Sequence, residues 1–322
     1  MVNVNNLTVE YRLPGRGGLL RAVDGVSFGI ERGQTVGLVG ESGSGKSTIG
    51  NAILGLADPA DGRIEFDGAD ITHCPRADRR LLARRIQVIF QDPFGSMNPS
   101  LTVGETVAEA LRYNLGLPKA QIRERVTQAL ADVGLPLDAA ERYPTEFSGG
   151  QRQRIAIARA LIMDPDFVIC DEAVSALDLS VQAQVLNLLV KLRQERGLAY
   201  LFITHDLAVV RYISDQIVVL YAGQVMERGP VDLVADRPVH PYTQALTEAA
   251  PVPDPELQAA RQAARTKVAP SAGSTGQTGC PFAARCPGAI GRCHTERPAL
   301  VPYQGVLAAC HLLTPDSKET IP

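Results

Sequence analysis

Gly40-Glu41-Ser42-Gly43-Ser44-Gly45-Lys46-Ser47-Thr48 follows the compact apolar run Thr35–Val39 and leads into a helical segment from Lys46 to about Leu54. That order, strand then glycine-rich turn then helix, is the context of a phosphate-binding loop. The glycines let backbone N–H groups turn inward on phosphate oxygens, and the helix adds the positive end of its dipole. Lys46 is expected to bridge the β- and γ-phosphates and Ser47 to offer its hydroxyl to Mg²⁺. Thr48 and the backbone from Gly43 through Ser44 and Gly45 would hold the α- and β-phosphates, with Gly40 and Ser42 completing the loop. The ligand class is a nucleoside triphosphate.

Working outward, Phe167-Val168-Ile169-Cys170-Asp171-Glu172 is an apolar strand ending in two carboxylates. Asp171 would orient Mg²⁺ through water, and Glu172 would polarise an attacking water. Cys170 reads as a small core hydrophobe. Ser148-Gly149-Gly150-Gln151 lies about a hundred residues after the loop and opens another helical segment.

The 322 residues carry 35 acidic and 32 basic side chains, a net charge of −3. Such a balance supplies no basic field for nucleic acid, which is not expected as a partner. Arg79, Arg80, Arg84 and Arg85 read as a solvated helix face. Neither a secretory leader nor a membrane-spanning apolar run is visible. Alternating strands and helices predict an α/β fold with a parallel sheet, and Val103–Tyr113 and Gln121–Val133 carry helical periodicity. Residues 251–279, rich in Pro, Ala, Gln, Ser and Gly, read as a linker.

With these motifs in this order, residues 1–250 resemble the ATP-binding subunit of an ABC transporter. The resemblance implies a P-loop NTPase (RecA-like) ABC nucleotide-binding domain with an antiparallel β subdomain and a helical subdomain at about 93–158. It implies ATP and Mg²⁺ as ligands. It makes Gln91 a sensor of Mg²⁺ and the attacking water, Tyr11 an aromatic under the adenine, and His205 of Thr204-His205-Asp206 a contact to the γ-phosphate. It makes Ser148, Gly149, Gly150 and Gln151 a signature that closes over ATP held by a second subunit. Asp178 of Ser175-Ala176-Leu177-Asp178 would then cross the dimer interface. Phe147 stands where leucine is commoner, and Ala173 replaces the usual proline after the catalytic glutamate; every charged group stays in place. The run Gln91–Leu101 would form a groove for a short helix of a membrane subunit.

The last stretch, 280–322, holds Cys280, Cys286, Cys293 and Cys310, with Cys74 and Cys170 far away in sequence. Clustered thiols without the Cys-x-x-Cys knuckle suggest a metal site, either an iron–sulfur cluster or zinc. This C-terminal cysteine-containing extension, together with His240-Pro241-Tyr242-Thr243-Gln244-Ala245-Leu246, resembles the ATPases of oligopeptide and dipeptide importers, nearer the second of their two ATPase subunits. The resemblance implies a 4Fe-4S cluster, with Zn²⁺ as the alternative. It also implies a heterodimeric second ABC ATPase, two membrane permease subunits, an extracytoplasmic substrate-binding protein, and a peripheral place on the cytoplasmic face of the membrane. Nickel, glutathione or sugar uptake are alternative cargoes. A soluble ABC ATPase acting on ribosomes or DNA is the alternative class, against which a single P-loop and a modest helical insert argue.

Overall fold

The computed structural model describes residues 1–13, 15, 18–93, 95–249 and 278–313. Two sheets divide the strands by polarity. The long strands β1 (Val2–Arg12) and β2 (Leu19–Ile30) mix buried and exposed positions and pair antiparallel. With β4 (Asp61–Phe66) and β5 (Ala69–Asp70) they make a sheet of order β2-β1-β4-β5. The strands β3 (Thr35–Val39) and β8 (Ala199–Thr204) are buried at every residue. Continuous apolar runs of this kind belong inside a parallel sheet covered on both faces.

That second sheet has eight strands in the order β11-β12-β10-β9-β3-β8-β7-β6. Its strands β6 (Ile86–Ile89), β7 (Phe167–Asp171), β8, β3 and β9 (Gln216–Tyr221) run parallel. The neighbouring strands β3, β8, β7 and β6 therefore bring Gly40, His205, Glu172 and Gln91 to one edge, outside their carboxyl ends. Open α/β sheets place ligands at that edge. Helix α1 (Lys46–Leu54) starts at the glycine loop and packs Ile49 and Ile53 between the two sheets.

Between β6 and β7 the chain leaves the sheet as helices. α2 (Arg76–Leu82) lies before β6; α3 (Val103–Asn114), α4 (Lys119–Asp132) and α5 (Gly149–Leu161) follow it. Thr102 caps α3 through a capping box with Glu105, which satisfies two N-terminal donors at once. Val103, Val107, Leu111, Leu130, Ile155 and Leu161 fill one core here. The helix α6 (Leu179–Arg196) lies against α5, and α7 (Leu207–Ile213) against β3.

The four arginines expected on a solvated face are structural ties instead. Arg79 donates to the carbonyls of Ile53 and Ile71, Arg80 to Tyr113 and Arg84 to Asn114. Arg85 pairs with Asp67 and Asp166. A guanidinium offers five fixed donors, so it joins separate carbonyls that a sequence pattern does not show to be neighbours.

Past β9, the chain runs through β10 (Gln224–Pro230), α8 (Val231–Asp236) and α9 (Pro241–Ala249). The linker expected at 251–279 lies outside the described residues except for its last two. The chain then forms a short helix α10 (Gly291–Thr295) and a hairpin of β11 (Val301–Tyr303) and β12 (Val306–Ala308). Strand β12 pairs antiparallel with β10, so the cysteine-bearing extension continues the main sheet. Arg297 ties it to Asp24 of β2 at 2.8 Å.

Candidate functional site

Gly45 caps the N-terminus of α1 at φ 100°, a left-handed value that a side chain resists. A Cβ there would also stand 2.4 Å from the Ala22 carbonyl. The tight turn buries Lys46 to 5 % exposure. Its Nζ donates to the carbonyls of Gly40 at 2.7 Å and Glu41 at 2.8 Å. An ammonium has three donors, so one is left for a phosphate oxygen. Burial pulls the Lys46 pKa down, and the charges of Glu172, Asp171 and Glu41 oppose that pull. The Ser44 hydroxyl is buried with no hydrogen-bond partner among the described residues. An orphaned donor of this kind, inside a loop of inward-turning amides, fits a bound phosphate chain.

Ser47 Oγ donates to Asp171 Oδ1 at 2.9 Å across 124 residues of sequence. Burial pushes the Asp171 carboxyl up, while this hydrogen bond acts in the opposite sense. A hard hydroxyl and a half-buried carboxylate side by side suit Mg²⁺, which prefers oxygen ligands and keeps several of its waters. The residues present therefore fit both expected ligands.

Glu172 follows at φ 47°, with its N–H donating to the Ile203 carbonyl at 2.9 Å. Few non-glycine residues sit there, and the turn swings the carboxylate away from the line of β7. Its Oε2 accepts from Gln91 Nε2 at 3.1 Å, and its Oε1 faces His205 Nδ1 at 3.3 Å. Gln91 Nε2 also lies 3.5 Å from Ser175 Oγ, a residue that the motif reading did not assign to the site. The arrangement can hold a water beside a carboxylate while fixing that carboxylate from both sides.

The other expected residues lie elsewhere. Tyr11 sits on β1 and is 42 % exposed, as a stacking platform requires. Ser148 and Gln151 spend their polar atoms on each other: Gln151 N donates to Ser148 Oγ at 3.4 Å and Ser148 N to Gln151 Oε1 at 3.0 Å. Gly149 is exposed beside them, and Gly150 is pressed against Val181 of α6. Asp178 caps α6, accepting from Val181 N at 3.0 Å. These motifs face outward from the helical part and the α6 turn.

The four C-terminal cysteines share one small unit, in which Cys280 N donates to the Cys293 carbonyl at 2.8 Å. Cys293 is buried, and burial pushes up the thiols of Cys280, Cys286 and Cys310. A metal centre there is not borne out: among the described residues no group of three or more His, Cys, Asp or Glu could hold a metal ion. Tetrahedral zinc requires sulfurs at about 2.3 Å from one centre, and the thiols are not gathered to that degree. Cys170 is fully buried in β7, as a core residue.

Residues missed by motif reading surround the loop from the other side. The Tyr242 hydroxyl accepts from Glu41 N at 3.0 Å, and Arg285 pairs with the Glu41 carboxylate at 2.9 Å. Arg159, on α5, donates from Nη1 to the Ser96 carbonyl at 2.6 Å and from Nη2 to Ser96 Oγ at 3.2 Å. It thereby braces the segment after Gln91. The one advance signal was the His-Pro-Tyr run that contains Tyr242.

With this geometry in place, comparison with known proteins is informative. Residues 23–175 match the ABC transporter family, and residues 226–293 match the oligopeptide/dipeptide transporter C-terminal region. The chain is 46 % identical to the dipeptide transport ATP-binding protein of Escherichia coli, over 92 % of this chain and 89 % of that one. It is 48 % identical to the oligopeptide transport ATP-binding protein of Salmonella typhimurium, over 87 % and 84 %. Among solved structures, a dimeric bacterial ABC transporter cassette superposes with a TM-score of 0.65 at 30 % identity, covering 72 % of this chain and 99 % of that one. No helix among the described residues is long and apolar enough to cross a membrane.

Proposed function

We propose a mechanism for a chain that belongs to the ABC transporter family, as an ATP-binding subunit of its oligopeptide and dipeptide importers. It is an ATPase that powers peptide uptake. Lys46 and the loop amides bind the β- and γ-phosphates, and Tyr11 supports the adenine. Ser47, Asp171 and Gln91 would hold Mg²⁺, which would offset charge on the phosphates. Glu172 takes up the attacking water and directs its lone pair at the γ-phosphorus. His205 orients Glu172 and meets the γ-phosphate. Phosphoryl transfer to water calls for positioning and charge stabilisation more than covalent chemistry, and each of these groups supplies one or the other.

The observation that carries this reading is the Glu172 carboxylate, held by Gln91 on one oxygen and His205 on the other. It stands one residue after the Asp171 that accepts from Ser47. The signature of this chain, Ser148–Gln151, would serve a loop on a second ATPase, and that ATPase would be a different protein. The outward position of the exposed α5 N-terminus supports a contact with a second ATPase; that the two differ rests on the resemblance to the importer ATPases alone. Permeases would dock at Gln91–Leu101, with a substrate-binding protein on the far side, leaving this chain peripheral on the cytoplasmic face.

For the C-terminal unit we infer a 4Fe-4S cluster rather than zinc from the donor type alone, four clustered cysteines; the thiols as placed do not form the site. Four thiolates satisfy such a cluster, whose own bulk keeps its ligands farther apart than a single ion does. Anaerobically purified protein should be brown with four irons per chain; colourless protein with neither iron nor labile sulfide would remove the cluster.

The function is tested by isolating the chain with its membrane partners and reconstituting them in vesicles. Co-purified permeases and ATP hydrolysis that rises with peptide and its binding protein are the expected result. Hydrolysis unresponsive to peptide, with no permease retained, would overturn it.

A further inference from the structure

Glu41, the second residue of the phosphate loop, is held from two sides by the C-terminal region. Its N–H donates to the Tyr242 hydroxyl at 3.0 Å, and its Oε2 accepts from Arg285 Nη1 at 2.9 Å. The rings of Tyr221, Tyr242 and Phe282 pack with centroids 4.7–5.4 Å apart, and the Arg285 guanidinium lies over Tyr221 and Phe282. Arg285 Nη1 also reaches Tyr221 Oη at 3.4 Å. On its other side, Glu41 grips the catalytic ammonium, since its carbonyl accepts from Lys46 Nζ at 2.8 Å.

The holders of Glu41 belong to the cysteine unit and to the helix joined to it. Arg285 immediately precedes Cys286. Tyr242 belongs to His240-Pro241-Tyr242, where His240 Nδ1 accepts from Tyr242 N at 3.0 Å. The His240 ring packs on Phe282 at 6.2 Å and hydrogen-bonds the backbone at Ala309, next to Cys310. Glu227 accepts from the N–H groups of Val239 and His240, each at 3.0 Å, and so fixes the start of the same helix to β10. A continuous set of contacts thus runs from the cysteines to Lys46.

Charge gives this contact a direction. The pattern of the phosphate loop does not require an acid at position 41, and a carboxylate there opposes an incoming anion. Arg285 offsets that charge and draws the side chain toward the C-terminal unit. We propose that Arg285 and Tyr242 are positioning residues for the phosphate loop, through which the C-terminal cysteine unit sets the affinity for ATP. This rests on the ATP site described above.

The test compares variants of the full chain within the assembled importer, reading KM for MgATP apart from kcat, with a thermal melt of each. Arg285→Ala should raise KM about three- to tenfold with kcat within about twofold, the range open to one ion pair and its hydrogen bond. Arg285→Lys should recover part of that loss. Tyr242→Phe keeps the ring, removes the acceptor for Glu41 N–H, and should raise KM about threefold. The deciding variant is Arg285→Ala with Glu41→Gln, which should return KM to within about twofold of Glu41→Gln alone. Unchanged KM in Arg285→Ala, or a rise that Glu41→Gln does not relieve, overturns the proposal and leaves a fold staple. If Arg285→Ala fails to fold, Arg285→Lys and Tyr242→Phe still decide, since an unmoved KM in both also overturns it. Failure of the ATPase reading would look different, because the unaltered importer would then show no MgATP-dependent turnover.

Discussion

Gln91 and Glu172, at the ends of the adjacent parallel strands β6 and β7, share a hydrogen bond of 3.1 Å. The glutamine begins the segment that leads to the helical part, and the glutamate carries the chemistry. Any displacement of that segment is therefore felt first at the carboxylate that holds the water.

Glu172→Gln keeps the size of the side chain and removes its basicity. It should retain MgATP binding and reduce hydrolysis at least about 100-fold, the lower range for a general base. Steady-state phosphate release and equilibrium nucleotide binding check both halves, and turnover near that of the unaltered protein would remove Glu172 from its role.

Gly150→Ala tests packing beneath the signature. An added Cβ would stand 2.2 Å from Val181 Cγ1, so Val181 must leave its rotamer or α5 and α6 must part. We expect a loss of about 1–3 kcal/mol, seen as a lower thermal midpoint. ATP binding to the chain's own loop should be spared while hydrolysis by the assembled pair falls. An unchanged midpoint would show that the site takes up the methyl group without strain.

Arg159→Met removes the two donors that hold Ser96 and keeps much of the buried stem. The loosened segment after Gln91 should uncouple the ATPase from transport: hydrolysis persists in vesicles while uptake per ATP falls several-fold. Equal losses in both rates would point to simple destabilisation.

His240 predicts a pH dependence. Burial lowers its pKa to about 4, below its ordinary value near 6.5. Above about pH 6.5 the imidazole is neutral in both folded and unfolded chains and costs nothing. As pH falls from about 6.5 to about 4, the unfolded chain takes a proton that the folded one refuses, so stability declines by up to about 3 kcal/mol. The nearby Glu227 titrates as well, and its pKa is raised by burial. The comparison is therefore between the natural protein and His240→Gln, with denaturant midpoints across that range. The natural protein should lose stability faster on acidification; parallel curves would exclude the imidazole as the cause.

Much of this molecule could be read in advance because its parts are local. Thr35–Val39 is apolar throughout since both faces of β3 are covered, and the turn that follows has one chemistry. The carboxylates of Asp171 and Glu172 close an apolar run in the same manner. The motifs did not disclose their packing duties: Gly150 abuts α6, and Asp178 caps a helix. Harder still were contacts made by tertiary placement alone. Val301–Tyr303 and Val306–Ala308 are three residues each, too short for a pattern, and Pro302 reads against a strand until β11 is found at the sheet edge, where proline is tolerated. Arg79, Arg84 and Arg285 look like ordinary surface charges until the carbonyls and the carboxylate they reach are folded beside them.

The pairing of β12 with β10 also bears on where this protein can be cut. A cassette ended near residue 250, where the catalytic motifs are complete, would leave β10 with a bare flank of N–H and C=O groups. Such a flank recruits strands from other molecules. The extension thus closes part of a sheet edge that such a cut would leave open, whatever its cysteines bind.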